Sequence, residues 1–344
     1  MSAPAWTAAD GGTAAAVPMV EVWRGAFTEC VHAGHAVICS PSGEIVEAWG
    51  DPDRVTLPRS AVKMIQALPL VESGAADAYG LSDERLALAC ASHSGAPMHV
   101  DRVRAWLADL GLGDEALRCG AHESGCLQER DRMIRAGEAP AQAHNNCSGK
   151  HSGFLTLTAH LRAGPEYVEP GHPVQAAARA AMAEMTGDEG LGFAVDGCSA
   201  PNFAATLRGL AWAMARMARP EDAGLGEARA AASRRLTAAM AAHPELVSGQ
   251  GRACAAFMRA LGGGSAVKTG AEGVFCAILP REGLGVALKI EDGATRAAEC
   301  AMAALLVRLG AADRVDPRIA ARLLARLPNR RGQDVAGLRP ISLA

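Results

Sequence analysis

Two apolar runs near the C-terminus, Gly273-Val-Phe-Cys-Ala-Ile-Leu279 and Leu284-Gly-Val-Ala-Leu-Lys-Ile290, decide the fold class of this chain. Each run is short and bounded by turn residues, and a short Pro- and Gly-containing segment joins them, so the sequence predicts a β-hairpin. A second pair of strand-like runs, residues 35–40 and 44–49, predicts another hairpin near the N-terminus. Because the strands lie towards both ends of the chain, we expect them to meet in one antiparallel or mixed sheet.

The region between the two hairpins is predicted to be mainly helical, because its apolar residues recur at helical spacing. The predicted helices cover residues 60–71 (with a kink near Pro69), 82–90, 99–110, 148–161, 173–185, 203–217, 227–242, 295–309 and 319–327, and shorter extended pieces cover 192–196 and 266–270. The expected fold class is α/β of the α+β kind, in which a mixed or antiparallel sheet is flanked by helices and a helical insert separates its strands.

Residues 1–18 are rich in Ala, Gly and Pro and are expected to form a flexible tail. Residues 19–344 are expected to form a single domain with two lobes. One lobe contains the sheet built from the N- and C-terminal parts of the chain, and the other is the helical middle.

The composition is that of a globular protein: 49% of the 344 residues are hydrophobic and 21% are charged. The net charge of -3 does not favour nucleic acid or a membrane surface as a partner. Since the sequence shows no signal peptide and no apolar run of about 18 residues, we expect a cytoplasmic protein. The 10 cysteines are too few for a disulfide scaffold, and most are expected to be reduced and buried.

The motif Ser60-Ala-Val-Lys63 is the sharpest local feature. A spacing of three residues on a helix puts the Ser60 hydroxyl and the Lys63 amine on one face, where a neutral amine takes the hydroxyl proton. Four residues with two unspecified positions occur often by chance. A capping serine followed by a solvated lysine is therefore the alternative interpretation.

The motif Lys268-Thr-Gly270 strengthens the catalytic interpretation. S-x-x-K on a helix and K-T-G on a strand occur together in penicillin-binding proteins and class A β-lactamases. The order of elements also agrees, since a hairpin, the S-x-x-K helix, a helical insert, the K-T-G strand and a C-terminal helix follow one another. The S-D-N motif of those enzymes is missing, and Ser92 is the best candidate for its hydroxyl.

A third polar stretch, Asn145-Asn-Cys-Ser-Gly-Lys-His151, leads into a predicted helix. Cys147 and Lys150 lie one turn apart, where a helix N-terminus favours a thiolate. Cys147, Cys198 and a neighbouring His or Asp could form a metal site. The spacing matches no standard metal motif, so buried structural thiols are the alternative.

Taken together, these stretches resemble the L-asparaginase II family, the rhizobial-type bacterial asparaginases. The resemblance extends from about Val20 to about Gly332. Its most specific segments are Arg59-Ser-Ala-Val-Lys63, Ala89-Cys-Ala-Ser-His-Ser-Gly95, His144-Asn-Asn-Cys-Ser-Gly-Lys-His151, Val195-Asp-Gly-Cys-Ser-Ala-Pro201 and Lys268-Thr-Gly-Ala-Glu-Gly273.

The resemblance implies a fold like that of serine β-lactamases and glutaminases, and hydrolysis of L-asparagine to L-aspartate and ammonia. It implies two Ser–Lys pairs, Ser60 with Lys63 and Ser92 with Lys268. It also implies a homodimer and a zinc ion. The residues that match the zinc ligands are Cys147, Lys150 and Cys198, those beside the metal that contact substrate are Asp196 and His151, and Arg59 borders the nucleophile.

The mechanism expected from these residues is acyl transfer through a serine. Ser60 attacks the side-chain amide carbon with Lys63 as base, while Ser92 and Lys268 relay protons to the leaving ammonia. Two other functions remain possible at this point. One is a β-lactamase-like or glutaminase-like serine amidase, and the other is a non-catalytic zinc- or thiol-binding protein on a hydrolase scaffold.

Overall fold

The structure, a computed structural model, describes residues 14–343. Most of the expected N-terminal tail, residues 1–13, lies outside this range, as does Ala344. The first strand begins at Val17, two residues before the expected start of the folded domain at Met19. The chain segment 17–18 therefore belongs to the sheet rather than to the tail.

An eight-stranded sheet organises the fold, and all of its strand pairs are antiparallel. The strands are β1 (Val17–Arg24), β2 (Phe27–Cys39), β3 (Ile45–Trp49), β8 (Ala266–Thr269), β9 (Val274–Leu279), β10 (Leu284–Ile290), β11 (Arg326–Pro328) and β12 (Asp334–Pro340). Their spatial order is β11-β12-β1-β2-β10-β9-β8, with β3 also paired to β2. The predicted sheet, drawn from both ends of the chain, is confirmed.

Two small sheets lie outside the large one. Strand β4 (Val55–Thr56) pairs with β7 (Ala205–Thr206), and β5 (Phe193–Val195) pairs with β6 (Pro201–Phe203). The β4–β7 pair links the chain just before the S-x-x-K motif to the helical insert. The β5–β6 pair carries Asp196 and Cys198 in the turn between its strands.

Helices fill the middle of the chain and follow the second hairpin. They are α1 (Lys63–Gln66), α2 (Leu68–Glu72), α3 (Ala75–Ala78), α4 (Asp83–Ala89), α5 (Pro97–Asp109), α6 (Leu127–Ala136), α7 (Ser148–His160), α8 (Pro173–Thr186), α9 (Leu207–Ala218), α10 (Glu227–Ala242), α11 (Pro244–Val247), α12 (Ala253–Leu261), α13 (Thr295–Arg308) and α14 (Pro317–Leu323). Within the described residues no helix is long and apolar enough to cross a membrane.

Three predicted helices differ from those observed by a break or by more than two residues at one end. The helix predicted at 60–71 is a 3₁₀ turn followed by α1 and α2, and the break falls at Ala67 because Pro69 fits the first turn of a new helix. The helix predicted at 203–217 begins at Leu207, since Phe203 pairs in β6. The helix predicted at 319–327 ends at Leu323, and strand β11 follows it.

Small residues allow the helices to approach the sheet closely. All six residues of β9 are buried although successive side chains face opposite ways, so helices cover both faces of the sheet there. On one face, a Cβ on Gly285 of β10 would lie 2.1 Å from the Ala211 carbonyl oxygen and from the Ala215 amide nitrogen of α9. The helix backbone therefore rests directly on the strand.

Candidate active site

The S-x-x-K motif lies in a strained turn rather than within a regular helix. Arg59 has a φ of 53°, in the left-handed region that non-glycine residues rarely adopt. Its backbone N–H donates to Oδ1 of Asn202 at 3.2 Å, which helps to hold the turn. Ser60 follows and is half-buried. Local strain of this kind is typical of functional sites, where the surrounding structure imposes it.

The K-T-G strand runs directly beside this turn. A Cβ placed on Gly270 would lie 2.5 Å from the Pro58 carbonyl oxygen and 3.3 Å from the Ala61 amide nitrogen. Only glycine fits at such a separation. The glycine of the motif therefore brings the strand that carries Lys268 against the turn that carries Ser60.

Lys63 is buried and faces Ser92 rather than Ser60. Its Nζ donates to the Ala91 carbonyl at 2.5 Å, to Ser92 Oγ at 2.9 Å and to Cys147 Sγ at 3.1 Å. These acceptors account for all the N–H groups of an ammonium. The Lys63 backbone N–H donates to the Ser60 carbonyl, but within residues 14–343 no hydrogen bond joins the Lys63 amine to the Ser60 hydroxyl.

Ser92 lies between two buried lysines. Its Oγ is 2.9 Å from Nζ of Lys63 and 2.8 Å from Nζ of Lys268. The pKa of Lys268 is lowered to about 7. Burial is the main cause, the positive charge of Lys63 acts in the same direction, and Cys254 opposes them. The second expected pair, Ser92 with Lys268, is therefore in hydrogen-bonding contact, and its amine can be neutral near pH 7.

His93 holds the Ser92 loop against α7. The Gly95 backbone N–H donates to Nδ1 of His93 at 3.1 Å, so Nε2 carries the proton and donates to Ser148 Oγ at 2.8 Å. Burial lowers the pKa of His93 well below its usual value, which keeps the ring neutral. No spacing pattern points to this link, because His93 and Ser148 are far apart in the chain.

Cys147, Lys150 and Cys198 form one buried cluster, as the resemblance implied. Nζ of Lys150 donates to Cys198 Sγ at 3.1 Å. A hydrogen bond from the Cys147 thiol, followed by the Lys150 charge, lowers the pKa of Cys198, and the same sulfur contact raises that of Cys147. Burial is the largest single influence on Lys150 and lowers its pKa, but the charges of Cys198 and Cys147 and the hydrogen bond to Cys198 together raise it. These shifts favour a thiolate at Cys198 beside an ammonium at Lys150.

His151 completes this cluster on the side of α7. Its Nδ1 lies 2.9 Å from the Tyr167 hydroxyl, which accepts the Arg118 backbone N–H at 2.7 Å. Burial lowers the pKa of His151 to about 4, so the ring is neutral. Its Nε2 is buried and makes no hydrogen bond of standard geometry within residues 14–343, although the Cys198 sulfur lies close enough to raise the pKa of the ring against burial.

The donor set of this cluster fits a thiophilic divalent cation. The two sulfurs are ligands that zinc prefers, whereas the amine of Lys150 can bind a cation only after it loses its proton. Among the described residues no three His, Cys, Asp or Glu side chains gather into a metal-binding group, and the third group of this cluster is the Lys150 amine.

Arg59 and Asp196 form an ion pair beside these groups. Nε and Nη2 of Arg59 both donate to Oδ1 of Asp196, at 3.0 and 2.7 Å. Hydrogen bonding to Asp196 raises the pKa of Arg59, and the negative charge of Cys198 raises it too. The ion pair therefore lies near the cluster of Cys147, Lys150 and Cys198. The site therefore presents a cation and an anion side by side, as a zwitterionic ligand requires.

Comparison with known proteins assigns the chain to a family. The family model described as L-asparaginase II matches residues 20–340, whereas no curated protein gives a significant match. Among solved structures, the chain is similar to a β-lactamase from Mycobacterium bovis, with 15% identity and a TM-score of 0.44, covering 80% of this chain and 94% of that one. It is also similar to Mglu in its native form, with 17% identity and a TM-score of 0.47, covering 85% and 68%. Because the family match spans nearly the whole sequence, the chain belongs to the L-asparaginase II family and is an amidohydrolase.

Proposed function

We propose that this amidohydrolase converts L-asparagine to L-aspartate and ammonia by acyl transfer through a serine. The observation that carries the mechanism is the position of Ser92 Oγ, within hydrogen-bond distance of both Lys63 and Lys268. Two buried amines joined through one hydroxyl form a path along which a proton moves without passing through water.

The hydrogen bonds give this path a direction. A protonated Lys63 donates to Ser92 Oγ, and the Ser92 hydroxyl in turn donates to a neutral Lys268. The lowered pKa of Lys268 makes its neutral form accessible near pH 7. A proton taken up at Lys63 can therefore be passed to Lys268 through Ser92.

Ser60 is the proposed nucleophile. It is half-buried, whereas Ser92 is 7% exposed and already bonded to both lysines, so Ser60 is the hydroxyl that an incoming substrate meets. Catalytic hydrogen bonds often tighten only when substrate binds, and Lys63 lies three residues after Ser60 in the turn. The Lys63 proton first passes through Ser92 to the neutral Lys268, and as Oγ attacks the amide carbon its own proton passes to the freed Lys63 amine. The C–N bond then breaks, ammonia leaves with a proton from the relay, and water hydrolyses the acyl ester.

Arg59 and Asp196 are proposed to bind the amino-acid part of the substrate. The guanidinium suits the α-carboxylate, and the Asp196 carboxylate suits the α-ammonium. Cys147, Lys150 and Cys198 are the residues that would hold zinc, which supplies a fixed positive charge near the substrate. His151, whose Nε2 makes no hydrogen bond of standard geometry within residues 14–343, is proposed to contact substrate beside this cluster.

The test is ammonia release from asparagine by the wild-type protein and by Ser60→Ala, with zinc measured in both. Loss of activity with zinc retained supports the role of Ser60, and full activity in the variant refutes it. An acyl adduct trapped from asparagine and mapped to Ser92 would also refute the assignment of Ser60. Parallel assays with glutamine and a chromogenic β-lactam separate an asparaginase from a glutaminase-like or β-lactamase-like amidase. The homodimer, the cytoplasmic location and the two-lobed domain stay predictions.

A further inference from the structure

A small cavity lies between helix α8, the loop that follows this helix, and strands β5 and β6. Its volume is about 190 Å³. Helix α8 contributes Arg179, Met182, Ala183 and Thr186, which recur at spacings of three and four residues and therefore share one face of the helix. Of the described residues that line the cavity, none belongs to the candidate active site. The cavity is therefore a separate feature of the fold.

Apolar side chains form much of the cavity wall. Met182 and Phe203 are buried, and the ring of Phe203 contacts that of Phe193 with the centroids 6.0 Å apart. Leu191 and Phe193 are 41% and 48% exposed, so two large apolar side chains of the wall remain open to solvent. A cavity of about 150 Å³ with apolar walls holds a benzene molecule. This cavity therefore has room for a phenyl ring or a branched aliphatic group.

Two side chains of opposite charge line the same cavity, and neither is paired with an opposite charge. Arg179 is exposed, and within residues 14–343 its guanidinium makes no hydrogen bond and no ion pair. Asp188 is half-buried, and among the described residues its carboxylate accepts hydrogen bonds only from the backbone N–H of Thr206, at 2.7 Å, and from the Thr206 hydroxyl. Arg179 and Asp188 do not pair with each other. The cavity therefore presents a cation and an anion at separate points.

An α-amino acid with an apolar side chain carries the groups complementary to this cavity. Its carboxylate suits the planar guanidinium of Arg179, its ammonium suits the carboxylate of Asp188, and its side chain suits the apolar wall. Other small ligands satisfy only part of the cavity. A hydrocarbon leaves both charges unpaired, an apolar acid leaves Asp188 unpaired, and an apolar amine leaves Arg179 unpaired. The three features together therefore select one class of ligand.

We propose that this cavity is a binding site for an α-amino acid with an aromatic or branched aliphatic side chain. Arg179 binds the ligand carboxylate, Asp188 binds the ligand ammonium, and the apolar wall holds the ligand side chain. Binding is reversible and involves no covalent step. The site is separate from the candidate active site and does not depend on the proposed amidase reaction.

The test is calorimetric titration of the native full-length protein with L-phenylalanine and L-leucine. We expect saturable binding of one molecule per chain. Binding should be about tenfold weaker, the effect of one lost charge-assisted hydrogen bond, for 3-phenylpropionate, which lacks the ammonium, and for 2-phenylethylamine, which lacks the carboxylate.

Three results of this titration would overturn the proposal. The first is the absence of binding by both amino acids. The second is displacement of bound L-phenylalanine by an equal concentration of L-aspartate, which would place the ligand in the candidate active site. The third is an affinity that falls as the protein concentration is raised, which would show that a second copy of the chain covers the cavity.

Arg179→Gln removes the guanidinium and keeps a good helix former in α8. We expect the variant to bind L-phenylalanine about tenfold more weakly, whereas its binding of 2-phenylethylamine, which has no carboxylate, should not weaken. Arg135→Gln is the matched control, because Arg135 is also an exposed helical arginine, without an ion pair in residues 14–343, and does not line the cavity. The control should bind L-phenylalanine as the wild type does.

Asp188→Asn tests the other end of the ligand. An asparagine oxygen still accepts the Thr206 backbone N–H, so the local structure is preserved while the charge is removed. We expect weaker binding of L-phenylalanine, whereas binding of 3-phenylpropionate, which has no ammonium, should not weaken. Wild-type affinity for L-phenylalanine in either the Arg179 or the Asp188 variant would overturn the proposal.

Discussion

Replacing Gly270 with alanine tests whether the contact between the K-T-G strand and the Ser60 turn sets the catalytic geometry. The new Cβ would lie 2.5 Å from the Pro58 carbonyl oxygen, whereas real Cβ contacts essentially never fall below 3.0 Å, so the strand or the turn must move by at least the difference of 0.5 Å. A misplacement of about 1 Å costs about 10²-fold in rate, so half of it should cost about tenfold. Relieving the clash should also cost about 1–3 kcal/mol of stability.

The assay is kcat/KM for ammonia release from asparagine, measured with the free energy of unfolding in urea. Gly164→Ala is the matched control, because a Cβ there meets no atom within 4 Å and the backbone needs no left-handed φ. It should change neither quantity. A Gly270→Ala variant with wild-type kcat/KM would show that the separation of the two motifs does not control the reaction. Equal loss in both variants would point to general destabilisation instead.

Three further predictions follow from the site. The fraction of neutral Lys268 increases as the pH rises through its pKa of about 7, so kcat/KM should rise over that range, and a flat pH profile would contradict the relay. Lys268→Arg should abolish activity, since arginine stays protonated. Cys198→Ser should bind zinc at least about tenfold more weakly in a dialysis titration. Cys300 is the control, because its thiol donates to the Leu323 carbonyl outside the cluster, and Cys300→Ser should bind zinc as the wild type does. Equal affinity in the two variants would exclude Cys198 as a ligand. Tyr167→Phe leaves Nδ1 of buried His151 without its partner and should cost about 1–3 kcal/mol in urea unfolding, which an unchanged midpoint would refute.

The sequence predicts those elements whose own pattern decides their structure. Strand β10 and helix α10 have the predicted bounds, because a continuous apolar run or helical spacing extends through their full length. Strand β12 is not predicted, since Asp334–Pro340 contains a glycine and charged residues and becomes a strand by pairing with β1 and β11. The packing of Gly337 against Trp23 explains that glycine, but a single sequence does not show it.

The candidate site likewise contains some features that local sequence patterns predict and others that they do not. Local spacing identified Ser60 with Lys63 as a motif, but it did not show that the lysine amine bonds to Ser92, 29 residues further along the chain. Contacts across such separations depend on how the helices pack, and no local pattern encodes them. The resemblance, rather than spacing, identified the Cys147–Lys150–Cys198 cluster. Neither source pointed to Tyr167, which fixes the buried ring of His151.

The close seating of α9 on β10 has a consequence for how the sequence of this protein can change. With the helix backbone touching Gly285, there is no side chain between the two elements to absorb a substitution. Strand β10 pairs with β9, and β9 pairs with β8, which carries Lys268. A larger residue at position 285 would displace β10, and two rows of backbone hydrogen bonds would transmit that displacement to the amine proposed to be catalytic. In a saturation mutagenesis screen, intolerance at position 285 should exceed that expected for a residue that never meets substrate.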